Sequence, residues 1–222
     1  MSNKSTVKPK MTQYSRSRKK HECRILKAAE EVFAQFGYNG ATLDTIAERA
    51  GLSKQNMLYY FASKQQLYQK VLQNILDIWM DSMALLTQPG KDPASKLENY
   101  IRRKIELSRT RPNGSKVFAA EIINGAPHLS ADIKNRLLPR LEEDISLVES
   151  WIAEGRLDPI DPRHLFFMIW STTQTYADFS AQIEIILGKP ELTAGDFEDA
   201  ARLITHVILK GIGAQQKEDK RL

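Results

Sequence analysis

Apolar residues recur along this chain at steps of three and four, and no run of alternating β-branched residues competes with that rhythm. Ile25, Leu26, Ala29, Val32, Phe33 and Phe36 form one stripe, which predicts a helix over 18–36 ended by Gly37. Thr42 stands as a cap before Leu43-Asp44-Thr45-Ile46-Ala47, the start of a short second helix. Gly51-Leu52-Ser53 breaks it; Ser53 then caps a helix over 54–60, and Ser63 caps a long one over 64–86. Proline and glycine punctuate the rest. Pro93 opens 93–110, and Pro112 opens 113–124, which stops at Gly125-Ala126-Pro127. A helix over 129–154 contains Pro139, which predicts a kink or two pieces. Pro162 opens 162–187, closed by Gly188, and Thr193 opens 194–211. The expectation is an all-α fold of about nine helices.

The short 54–60 helix divides into two faces at 100° per residue. Met57, Leu58 and Phe61 fall on one side, and Gln55, Asn56, Tyr59 and Tyr60 on the other, with Lys54 at the start. The second side suits DNA. Gln and Asn bond bidentately to adenine, and Lys reaches guanine. Tyrosine hydroxyls and Lys64 suit phosphates, as does Thr42 at the start of its helix. Two short helices joined by a glycine-containing turn form a helix-turn-helix, whose second helix enters the major groove.

Charge supports that reading. Residues 1–66 carry 12 Lys+Arg against 5 Asp+Glu, while the whole chain of 222 residues is only +5. The excess concentrates where the motif lies, as expected for a chain that meets a polyanion at one end. Eight of those cations fall within residues 1–24, so a solvated tail accounts for part of the excess.

The spaced residues Thr42, Ile46-Ala47, Ala50-Gly51-Leu52-Ser53, Tyr60-Phe61, Lys64 and Leu67 resemble the TetR family of bacterial transcription regulators. By position, Lys54, Gln55 and Asn56 match the family's base-reading residues, and Thr42, Tyr59, Tyr60 and Lys64 its phosphate-contacting ones. Two positions depart from the pattern. Gln55 stands where glycine is frequent. Leu58 stands where a phosphate-binding tyrosine is usual, which leaves that role to Tyr59.

The resemblance implies a domain order: a disordered basic tail (1–17), a helix-turn-helix domain (18–66), a helical ligand-binding and dimerisation domain (67–213) and a flexible end (214–222). It also implies a homodimer on a pseudo-palindromic double-stranded operator. The last two helices would form the interface, with Ile204, Val207, Ile208 and Ile212 as its apolar stripe. The stretches 75–79, 124–127 and 158–179 are similar to a pyrimidine-responsive branch of the family, which implies uracil or thymine as effector. Phe167, Trp170, Gln174 and Asp178 share a face at helical spacing, with Trp79 and Phe118 as further candidate walls. A flat base with alternating donors and acceptors suits an indole face and a Gln amide. A different small-molecule effector, or a helical interaction protein without DNA binding, remains an open alternative.

Other classes fare worse. His21, His128, His164 and His206 have no ligand-like spacing, Cys23 has no partner motif, and no phosphate loop or H-E-x-x-H occurs. Neither an enzyme nor a metal or cofactor site is expected. With no long apolar run, no secretory leader and a single cysteine, the chain reads as cytoplasmic. Glu142-Glu143-Asp144 reads as a solvated helical face.

Overall fold

The computed structural model describes residues 13–214, all helical with turns between. It forms ten helices: α1 (Gln13–Gly40), α2 (Leu43–Arg49), α3 (Lys54–Tyr60), α4 (Lys64–Met83), α5 (Pro93–Thr110), α6 (Pro112–Ile123), α7 (130–153), α8 (Pro162–Asp178), α9 (Ser180–Leu187) and α10 (Ala194–Gly211). The tails expected over 1–12 and 215–222 lie outside the described residues. Residues 13–17, expected in the basic tail, are the first turn and a half of α1. Two compact units divide between Val71 and Leu72, within α4.

In the first unit the predicted stripe is the core. Ile25, Ala29, Val32 and Phe33 of α1 are buried with Ile46, Ala47, Met57 and Leu67. At Gly37 the backbone swings to φ 67, ψ 176, which ends the regular helix after Phe36. Gly51 takes φ 63 in the turn between α2 and α3, a conformation that costs a residue with a Cβ. Leu58, expected on the core face, is 38% exposed. The 54–60 helix is only two turns long, and Met57 with Phe61 fills the available contact.

The second unit packs α5, α7, α8 and α10 around Leu97, Tyr100, Ile101, Ile145, Val148, Trp151, Phe166, Ile169, Ile208 and Leu209. Three details of this unit bear on the sequence reading, the first as expected and two as departures. The kink in α7 is a π-helical turn over Ile133–Leu137, just before Pro139. Pro139 has no N–H to offer the carbonyl four residues earlier, so the ladder must be rearranged locally. The single helix expected over 162–187 is two, because Phe179 leaves helical geometry at φ −114, ψ 26. Asp144, expected on a solvated face, is fully buried and accepts a 2.9 Å hydrogen bond from Arg140. Burial pushes its carboxyl up to about 6, against the pull of Arg140.

Candidate functional site

The surface around α3 is built by capping. The Ser53 hydroxyl accepts from the Asn56 backbone N–H at 3.2 Å, starting α3 at Lys54. The Thr42 hydroxyl accepts from the Thr45 N–H at 3.1 Å, starting α2 at Leu43. These caps leave Gln55, Asn56 and Tyr59 projecting from one side of α3, all exposed. Tyr59 is 63% exposed, and the Arg18 guanidinium of α1 lies 5.8 Å from its ring centre. Tyr60 is more enclosed, stacked on His21 with centroids 5.9 Å apart.

Two of the expected DNA-contacting cations already have partners. The Lys54 ammonium lies 2.8 Å from an Asp44 carboxylate oxygen, with both side chains more than half exposed. Such exposed pairs contribute about 0–1 kcal/mol, so a DNA group competes with this one at little cost. Lys64 differs. Its ammonium donates to the carbonyls of Tyr38 (2.8 Å) and Ala41 (3.0 Å), with Asn39 O at 3.4 Å and the Tyr38 ring centre at 4.7 Å. Without DNA, Lys64 is therefore engaged by this turn rather than standing free for a phosphate. It fastens the turn that follows α1, because several carbonyls there converge and only a cation with several donors satisfies them.

In the second unit the structure brings five of the sequence-derived ligand residues to one cavity. Trp79, Phe118, Trp170, Gln174 and Asp178 line a chamber of about 640 Å³ bounded by α4, α5, α6, α7 and α8. Trp79 and Phe118 pack with ring centroids 4.3 Å apart. The Trp170 indole N–H donates to the Tyr100 hydroxyl at 2.8 Å, which fixes the indole plane. Ile133 and Leu137, both in the π-helical turn, complete an apolar side. Phe167 belongs to neither this wall nor the core: it is half-exposed and does not line the chamber.

The residue that sequence reasoning missed is Lys104. It lies in the middle of α5, only 3% exposed, with its ammonium 4.0 Å from the Trp79 ring centre. Burial pulls its ionisation down to about 7, and Asp178 opposes that shift. Asp178 responds in kind: burial raises its carboxyl, while Ser115, Lys104 and Lys116 pull it back. A signal for Lys104 was present. It falls three and seven residues after Ile101 and Leu97, on the apolar stripe of α5, where a lysine is out of place.

The expected dimer stripe splits. Ile208 (3% exposed) and Ile212 belong to the unit's own core, and Ile204 packs against it, so the assignment of Ile208 and Ile212 to a partner surface is corrected. Val207 and Leu203 project instead, at 55% and 61% exposed. At 100° per residue, 208 and 212 fall about 100° and 140° from 207, so they cannot share its face.

Among the described residues no group of three or more His, Cys, Asp or Glu side chains could hold a metal ion, and no helix is long and apolar enough to cross a membrane.

A helix-turn-helix followed by a helical unit with a half-open, largely apolar chamber is the architecture of a DNA-binding regulator. Residues 25–71 match the bacterial regulatory proteins of the tetR family, and residues 72–215 match the C-terminal region of YcdC-like proteins. The chain belongs to the TetR family. It is 42% identical over 188 residues to the HTH-type transcriptional regulator RutR of Escherichia coli K12, covering 85% of this chain and 88% of that protein. Among solved structures, the ketosteroid transcriptional regulator KstR2 of Mycobacterium tuberculosis superposes with a TM-score of 0.70 at 19% identity, covering 88% of this chain and 95% of that one. A TetR family regulator from Marinobacter aquaeolei superposes at 0.67, also at 19% identity, covering 86% and 97%. These structures share the fold. The relatives are transcriptional regulators, not enzymes, and TetR regulators bind DNA and small-molecule effectors and act as dimers.

Proposed function

We propose that the protein is a homodimeric repressor of pyrimidine or nitrogen metabolism genes, with uracil or thymine as its effector. The reading rests on one observation: Trp79, Phe118, Trp170, Gln174 and Asp178 line a single chamber in a chain 42% identical to RutR. Chambers of roughly 300–1,000 Å³ with apolar walls and a few polar groups are the usual small-molecule sites. The Trp170 ring supplies a stacking face, and the Gln174 side-chain amide, with no hydrogen bond to another described group, supplies a donor and an acceptor.

On DNA, the exposed side of α3 reads base edges through Lys54, Gln55 and Asn56, while Thr42, Tyr59 and Tyr60 meet phosphates. In a dimer the two copies of α3 address half-sites about 34–36 Å apart, or a multiple of that. Effector binding alters the spacing of the two copies and releases the operator. The coupling is reciprocal: a ligand that weakens DNA binding tenfold is itself held tenfold less tightly on DNA, about 1.4 kcal/mol.

Calorimetry with uracil and thymine tests the effector, using wild type and Gln174→Leu. Binding is expected in the micromolar range, since about eight heavy atoms reach at most roughly 1.5 kcal/mol each. Gln174→Leu should lose more than about 1 kcal/mol, because a buried polar atom of the base would lack a partner. Ligand-free operator affinity should stay unchanged. The absence of heat with every pyrimidine would reject the effector and leave the DNA-binding role intact.

A further inference from the structure

Two groups in the chamber wall have unmet hydrogen-bonding demands of opposite kind. The Lys104 ammonium, on a side chain almost wholly buried, has no hydrogen bond to any described residue and only the face of Trp79 beneath it. The Asp178 Oδ1 atom is buried without a hydrogen bond of good geometry, although the Ser115 hydroxyl is near enough to hold the carboxyl down. Both residues line the same chamber, and each influences the ionisation of the other. An ammonium only donates and a carboxylate only accepts. Leaving both unsatisfied in an apolar wall is costly, and more so in a low local dielectric.

A ligand that satisfies both must carry an acceptor and a donor side by side. A cyclic amide or imide has such an edge: a ring carbonyl next to a ring N–H. The helical register favours it too. Trp170, Gln174 and Asp178 succeed one another at four-residue steps along one face of α8, all lining the chamber. A ring stacked on Trp170 would therefore reach Gln174 first and Asp178 one turn further on.

We propose that Lys104 and Asp178 together read one cyclic-amide edge of the effector, Lys104 donating to the ring carbonyl and the Asp178 carboxylate accepting from the adjacent ring N–H. This assignment rests on reading the chamber as a pyrimidine site, but it specifies the edge rather than the base.

Calorimetry on the full chain with three probes separates the two claims: uracil, 1,3-dimethyluracil and succinimide. Dimethyluracil keeps both carbonyls and the ring but has no N–H; succinimide keeps the carbonyl–N–H edge without the pyrimidine. Uracil and succinimide should bind wild type, dimethyluracil at least tenfold more weakly than uracil. Lys104→Met and Asp178→Ala should each weaken uracil and succinimide at least tenfold, with circular dichroism confirming that both variants are folded. Succinimide binding that is lost in Lys104→Met, with uracil silent, would reject the pyrimidine reading and keep the edge. Uracil binding shared equally by dimethyluracil, or left within threefold of wild type by both variants, would overturn the edge and keep the pyrimidine. No heat from either uracil or succinimide would overturn both.

Discussion

The Lys104 ammonium rests 4.0 Å from the centre of the Trp79 ring. A cation over an indole face gains on the order of 1–2 kcal/mol when desolvated, less than the penalty of burying the charge. The imbalance shows in the lysine itself, whose ionisation falls from 10.5 to about 7. A chamber that retains such a residue sacrifices stability for a donor in an apolar wall.

That sacrifice is measurable as a pH dependence. The folded state holds the Lys104 proton less tightly than the unfolded chain, so stability should rise as pH climbs from about 7 towards 10.5. The penalty is fully present below pH 7 and corresponds to on the order of 3–5 kcal/mol. Burial raises the Asp178 carboxyl from its ordinary 3.8, and Lys104→Met removes one of the charges that pull it back. Urea denaturation should find Lys104→Met more stable than wild type at pH 6, with the gap closing by pH 10. A gap that is the same at both values would show that Lys104 stays ionised throughout.

Gln55→Ala and Asn56→Ala should each cost about 1–3 kcal/mol on the specific operator and relax base preference at the positions they read. Both side chains are exposed, so melting temperature should not change. Unchanged operator affinity in both variants would mean that α3 does not enter the groove.

Lys64→Ala should act on folding first. Its ammonium joins the carbonyls of Tyr38 and Ala41, and hydrogen bonds of a charged donor are worth about 1.5–3 kcal/mol. Denaturation should therefore show a loss of that order. The slope of log affinity against log salt should remain close to that of wild type. A slope smaller in magnitude by about 0.9, with stability unchanged, would return Lys64 to the phosphate-contacting set.

Leu203→Asp with Val207→Asp should yield a folded monomer by light scattering, since both side chains project from α10. Ile208→Asp should instead destabilise the subunit by several kcal/mol, because it places an unpaired carboxylate in the core. Dimers that survive the double substitution would place the interface on another surface.

The sequence by itself determined the elements that local chemistry controls. The caps at Ser53, Thr42, Thr193 and Asp161, the prolines at 93, 112 and 162, and the glycines at 37, 51 and 188 bracket helices because they act within one turn of themselves. The side of α3 that carries Gln55, Asn56 and Tyr59 was equally legible, since only one face of a two-turn helix reaches the core. Tertiary structure decided what a stripe packs against. Periodicity gives the same pattern to a core isoleucine and a partner-facing one, and only the packing of α10 separates Ile208 from Val207. The break at Phe179 carries neither proline nor glycine, so nothing local announces it. Lys104 was hidden for the same reason: one lysine on an apolar stripe acquires its meaning from the indole of α4 and the carboxylate of α8, residues far away in the chain that meet only in the folded unit.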